Sequence, residues 1–176
     1  MDDLECDGDI VSPFCNAERA IRDRDLERLG QLIEEHPALL HEVEDGSLNW
    51  TLLHHAASEG FLDAIRLLVE RGVDVNARVE SLAGDTPLDV AINRHRFEVG
   101  LLLLDRGANP NIPTWMWITA LVRALDDLEQ VPATLKEPFV TRCIEAAGRF
   151  AAPEYLDGTK PEFWPRNPGG PRPRRV

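Results

Sequence analysis

The residues able to do chemistry are few and scattered. The histidines are His36, His41, His54, His55 and His95, and the cysteines are Cys6, Cys15 and Cys143. A zinc site needs ligands at spacings such as H-x-x-x-H or C-x-x-C, and neither occurs. His54 and His55 are adjacent, so on a helix they point to different faces. No P-loop, G-x-G-x-x-G or G-x-S-x-G is present. An enzymatic reading falls back on Asp126, Asp127, Glu129 and Cys143 within Thr119–Phe150, where no base is paired with Cys143 by spacing. We therefore expect no catalytic residue, no metal and no cofactor. Recognition is the chemistry that remains. Trp50, and the run Ile112-Pro-Thr-Trp-Met-Trp-Ile118, carry large rings of the kind that anchor protein interfaces.

Charge narrows the partner. The formal net charge is −12, and residues 1–50 alone hold 14 acids against 4 bases. Such a field repels phosphate and anionic lipid, so neither nucleic acid nor a membrane surface is expected as a partner. A basic protein surface would instead be steered in. The N-terminus lacks the basic and apolar regions of a signal peptide, and no apolar run approaches a bilayer span. The odd number of cysteines fits reduced thiols, which points to the cytoplasm.

Positioning comes from a repeat. Thr51-Leu-Leu-His-His-Ala-Ala57 aligns with Thr86-Pro-Leu-Asp-Val-Ala-Ile92, and their starts lie 35 residues apart. From each Thr, the same counts reach Gly72 and Gly107, then Asn76 and Asn111, without a gap. Each unit predicts two short helices. In the first unit these cover about Leu52–Ser58 and Leu62–Arg71, with Leu62, Ile65, Leu68 and Val69 on one face. Gly72 then suits the left-handed position that ends a helix. Neither helix pair could bury its apolar side alone, so the units must stack.

Both flanks continue the pattern more loosely. Ala20-Ile21 falls where Ala56-Ala57 would lie one unit earlier, and Leu26, Leu29, Leu32 and Ile33 repeat the second-helix spacing. Downstream, Thr119-Ala-Leu121 opens a unit whose second helix is delayed by an insertion, Leu128–Pro138. A stripe of Phe139, Val140, Cys143, Ile144 and Ala147 follows, with Gly148 as its expected end.

Thr86-Pro87-Leu88, the pair Ala56-Ala57, and the tails Arg71-Gly-Val-Asp-Val-Asn76 and Arg106-Gly-Ala-Asn-Pro-Asn111 resemble the ankyrin repeat. The resemblance implies an all-α solenoid of stacked helix-turn-helix units with short β-hairpin fingers. It has about four units, near 15–48, 49–83, 84–116 and 117–150. An acidic segment 1–14 precedes them and a Pro/Arg-rich tail 151–176 follows, whose Phe163-Trp164 could pack back onto the last unit. Leu52 stands where the family has proline, Asp89 where it has histidine, and His95 at the position of Gly60, where a side chain would strain the backbone.

In that family the fingers and the open side of the first helices bind partner proteins. Carried over by position, the fingers are Val43–Trp50, Ala77–Asp85 and Ile112–Ile118. The first-helix positions are His55, Ser58 and Glu59, then Val90, Asn93 and Arg94, then Arg123, Asp126 and Asp127. The resemblance thus implies a non-catalytic protein-binding module, monomeric when free. Its expected contacts are Trp50, His55, Glu59, Arg94, Trp115, Met116, Trp117, Arg123 and Asp126. Packing inward is the competing role for Trp50, Trp115 and Trp117. A narrower alternative is a bacterial immunity or inhibitor protein that neutralises a basic toxin such as a nuclease.

Overall fold

The computed structural model describes residues 12–44, 49–78, 84–114, 119–120 and 133–149. Seven α-helices occur among them. These are α1 (Pro13–Arg22), α2 (Leu26–Glu35), α3 (Leu52–Glu59), α4 (Leu62–Glu70), α5 (Pro87–Asn93), α6 (Phe97–Asp105) and α7 (Ala133–Arg149), with a 3₁₀ turn at Pro37–Leu40. The first helices α1, α3 and α5 form one row, in which α3 packs between the other two. Each pairs with its own second helix, and α7 closes the far end against α6.

Local chemistry sets the helix starts. Ser12 accepts the Cys15 N–H at 3.2 Å and Pro13 opens α1 with its fixed φ. Asp25 caps α2 through the Arg28 N–H at 2.9 Å. Pro37 lies just past α2 and begins the 3₁₀ turn, as its missing N–H predicts. One buried cluster runs the length of the row. It takes Ala17, Ala20 and Ile21 from α1, Leu53, Ala56 and Ala57 from α3, and Leu88, Ala91 and Ile92 from α5. Small alanines at the facing positions let the first helices approach closely, and leucines of the second helices fill the space behind them.

The turn between paired helices repeats a left-handed residue at the same place in three units. Arg24, Gly60 and His95 have φ of 58°, 70° and 55°. The strain expected at His95 is therefore present, and Arg24 shares it. Two arginines brace this turn across units. Arg24 Nη2 donates to the Glu59 carbonyl at 3.0 Å, and Arg96 Nε donates to the Ser58 carbonyl at 3.4 Å. Both carbonyls belong to the end of α3, where cations are favoured. Gly72 and Gly107 take the left-handed helix-end conformation, with φ of 86° and 92°.

Asparagines knit the units on the opposite side. Asn76 Nδ2 donates to the Gly107 carbonyl at 3.3 Å, and its Oδ1 accepts the Asn109 N–H at 2.7 Å. Asn111 Nδ2 makes the same reach one unit on, to the Ala147 carbonyl at 3.0 Å. The end of α7 therefore occupies the place that the end of α6 has in the unit before.

The last unit departs from expectation in three ways. The helix starts at Ala133, so part of the expected insertion is helical, with Pro138 inside it. It also runs through Gly148 to Arg149. Finally, its inner face is Phe139, Cys143 and Ala146, whereas Ile144 is 59% exposed. Leu26 in α2 is also exposed, and Val90 in α5, expected on the open side, is buried.

Candidate partner-binding surface

The finger bases show how the row aims its loops. At the first, the Glu44 N–H donates to the Trp50 carbonyl at 2.8 Å. The third closes on an antiparallel bridge between Pro113 and Thr119. Thr114, Thr119 and Ala120 are all buried, so this finger rises from a packed root. Arg78 ties neighbouring fingers together, reaching the Pro113 carbonyl at 3.1 Å through Nη2 and the Gly84 carbonyl at 3.5 Å through Nε.

Behind the fingers stand two capping boxes at equivalent positions. In the second unit the Thr51 N–H donates to His54 Nδ1 at 3.3 Å, with the Thr51 hydroxyl 2.8 Å from the same nitrogen. A backbone N–H can only donate, so Nδ1 is bare. Nε2 must then carry the proton and donate it to the Asp85 carbonyl, 3.1 Å away in the next unit. This arrangement requires a neutral ring. Burial pushes the His54 pKa down to about 4, against a lesser upward pull from the Asp85 carbonyl. In the third unit Asp89 does the local half of this work. Its Oδ2 accepts from the Thr86 N–H at 3.2 Å and from the Thr86 hydroxyl at 2.6 Å, and its own N–H donates back to Thr86 Oγ1.

Of the expected contact residues, Trp50 and His55 are brought together. Their rings meet edge to face at 5.3 Å, and Trp50 also stacks over His54 at 6.2 Å. Phe14 from α1 meets His55 edge-on at 5.9 Å. Glu44 Oε2 lies 2.9 Å from His55 Nε2, and Glu18 Oε1 lies 3.9 Å from Nδ1. Burial lowers the His55 pKa, opposed by the Glu18 and Glu59 carboxylates. Trp50 is half-buried and thus both packs and shows a face.

Glu59 and Arg94 hold matching positions near the ends of α3 and α5, and Glu59 acts on the cluster through its charge on His55. Glu59 is partly exposed and Arg94 exposed. Trp115, Met116, Trp117, Arg123 and Asp126 lie outside the described residues. Glu18 and Phe14 were not singled out from the sequence. Their signal was the register of α1 one unit before α3, which puts Glu18 opposite the His54-His55 pair.

Among the described residues no group of three histidines, cysteines or acids could hold a metal ion. No helix among them is long and apolar enough to cross a membrane. Cys143 is buried, and burial pushes its thiol up to about 12, so near neutrality it is no nucleophile.

The family model for ankyrin repeats, three copies, matches residues 18–114, more than half of the chain. A rice protein (Oryza sativa subsp. japonica) described as a probable E3 ubiquitin-protein ligase is 41% identical over 85 residues, 48% of this chain and 16% of its own length. The NF-kappa-B inhibitor cactus of Drosophila melanogaster is 40% identical over 62 residues, 35% of this chain and 12% of its own. Human protein phosphatase 1 regulatory subunit 27 is 34% identical over 89 residues, 51% of this chain and 55% of its own. The chain thus matches only part of each relative. The 35-residue register, the two capping boxes, the asparagine bridges and the family match agree, and the chain belongs to the ankyrin-repeat family, whose repeats mediate protein–protein interaction.

Proposed function

We propose that this chain is a non-catalytic binding module that grips a partner protein through its fingers and the open side of its first helices. The contacts are Trp50, His55, Glu59 and Arg94 among the described residues, with Trp115, Met116, Trp117, Arg123 and Asp126 beyond them. The observation that carries the reading is the first-finger root. There a half-exposed Trp50 sits on His55 with Glu18 and Glu44 beside it, an amphipathic ring framed by acids. Stacked helices hold these groups before the partner arrives, so little ordering entropy is lost on contact.

The partner that fits is a protein with a basic surface, since residues 1–50 carry a net charge of −10. Two of the matched proteins are named as an inhibitor and a regulatory subunit. Blocking a basic partner, a toxin nuclease included, is accordingly the narrower form of the proposal. Trp115→Ala with Trp117→Ala tests it. The double variant should lose a partner co-purifying with the wild-type chain while its circular-dichroism melt stays nearly unchanged. A large fall in melting temperature would show that both rings are core. A partner association rate indifferent to salt would remove the basic-surface reading.

A further inference from the structure

The two ends of the helical row are finished differently. At the first end, α2 shows Glu27, Arg28, Gln31 and Glu34 to water, the polar finish a terminal repeat needs. At the other end, α7 shows Pro138, Thr141, Ile144 and Glu145, and Ile144 at 59% is the most exposed large hydrophobic residue described. Pro138, Thr141 and Ile144 are spaced three apart and form one stripe along the helix. Pro138, Thr141, Arg142 and Glu145 line a shallow open groove beside it.

We propose that this stripe is the docking face for the chain's own C-terminal segment, residues 150–176, with Phe163 and Trp164 seated on Pro138 and Ile144. Three observations point to that occupant. The first is reach. Ile144 and Pro138 lie about 8 and about 16 Å back from the end of α7 along its axis. Phe163 follows Arg149 by 14 residues, enough for ~40 Å even in polyproline conformation. Asp157-Gly158, a turn pair, lies between them and permits the reversal.

The second is chemistry. The segment carries Phe150, Tyr155, Phe163 and Trp164 among its prolines, and aromatic rings recover the most apolar area per residue ordered. The third is charge. At the groove Arg142 is shared by two carboxylates, Glu145 in its wall at 2.9 Å and Asp105 beside it at 2.7 Å, so this edge carries one acid more than its base. Beyond Trp164 the segment holds 4 bases, Arg166, Arg172, Arg174 and Arg175, and no acid. Tethering gives an effective concentration in the millimolar range, so a contact of millimolar intrinsic strength is about half formed.

Amide hydrogen exchange on the full chain tests this. The peptide spanning residues 162–166 should exchange about two-fold more slowly in the protein than in a free peptide of sequence 150–176, the factor half occupancy gives. Ile144→Ser removes an exposed side chain and should return that peptide to the free rate without altering protection in α3 and α4. Trp164→Ala, outside the repeats, should speed exchange across 141–147. Free-rate exchange in the wild-type chain overturns the proposal. So does slowing that survives Ile144→Ser, which puts the segment elsewhere, and slowing that rises with protein concentration, which makes a second copy the occupant.

Discussion

Two seams join the outer units to the central pair, and the side chains that edge their common apolar core differ. Between the first and second units Ala17, Ala20 and Ile21 pack on Leu53, Ala56 and Ala57, and at the edge of that apolar contact sits His55 with Glu18, Glu44, Trp50 and Phe14 around it, the His55, Glu18 and Glu44 side chains 12%, 22% and 20% exposed. Between the third and fourth units the contact centres on Phe139. That ring is fully buried, packs edge to face on Phe97 at 5.3 Å, and comes within 3.0 Å of where a Cβ on Gly100 would sit. A dry aromatic seam gains its stability from burial and close packing. The ionisable groups at the edge of the first seam add little to the burial beneath them, since a polar group taken from water gives up solvation for its partner. The His55 cluster, not the apolar contact beneath it, is where the proposed recognition lies, and Phe139 serves the array alone.

The largest effect should come from the dry seam. Phe139→Ala empties a fully buried site and is expected to cost about 3–5 kcal/mol. That corresponds to a melting temperature lower by ~10 °C. A loss below about 1 kcal/mol would show that α7 is not part of the cooperative unit, and the contrast between seams would fail. Gly100→Ala approaches the same ring from the other side. Helix propensity favours alanine by about 1 kcal/mol, while the contact at 3.0 Å opposes it. Because Phe139 is hemmed in by Phe97, overpacking should win and the variant should melt earlier.

How much of this was readable in advance follows from the same residues. The register placed α3 and α4 within a residue of their ends, because glycine helix stops and threonine caps act locally. The Ala20-Ile21 pair located the buried face of α1 for the same reason. The fourth unit was harder. Phe139, Cys143 and Ala146 form one stripe, and Val140, Ile144 and Ala147 form another of the same period. Only the hollow left by Gly100, 39 residues earlier, decides that the phenylalanine side turns inward. Pro138 closed the expected insertion ahead of the helix, yet it falls in the second turn of α7, where few preceding carbonyls are left without a donor. The proposed binding site was legible as positions, not as a cluster. Nothing local to Trp50 or His55 announces Glu18 and Phe14, which arrive through stacking.

The next effect down separates the two capping boxes and carries a pH signature. His54 bonds within its box and across to Asp85, so it joins units as well as capping α3. Its pKa falls from 6.5 in the free side chain to about 4 in the fold, chiefly through burial. Between those values the unfolded chain binds a proton that the folded chain refuses. Stability is therefore complete above pH 6.5 and declines as pH falls toward 4, by a total on the order of 3 kcal/mol. His55, also lowered, adds in the same direction. His54→Gln keeps a side chain able to hydrogen-bond, and should flatten most of that decline in urea titrations at pH 7 and pH 5. An unchanged slope would move the effect to another group.

A smaller loss is expected from the asparagine bridges. Asn76→Ala forfeits two bonds to the next unit and Asn111→Ala one to α7, so each should cost about 1–2 kcal/mol, the former more. Equal costs would mean that the bridge to α7 is as well set as the one between the central units, despite the longer connection.

The smallest effect on stability should fall at the His55 cluster, where it is most diagnostic. His55→Leu removes the 2.9 Å contact with Glu44 but leaves that carboxylate partly exposed, free to regain water. It also puts apolar atoms against Phe14 and Trp50, so the net change should stay within about 1 kcal/mol. Partner affinity should fall by about ten-fold or more, as expected when a central contact beside an aromatic anchor is lost. Measured on one preparation, the two quantities separate the seams. Phe139→Ala lowers stability first, and affinity only through unfolding. His55→Leu lowers affinity with the melt intact. If His55→Leu instead cost as much as Phe139→Ala, the ring cluster under the first finger would be core, and Trp50 would belong to the fold rather than to the partner.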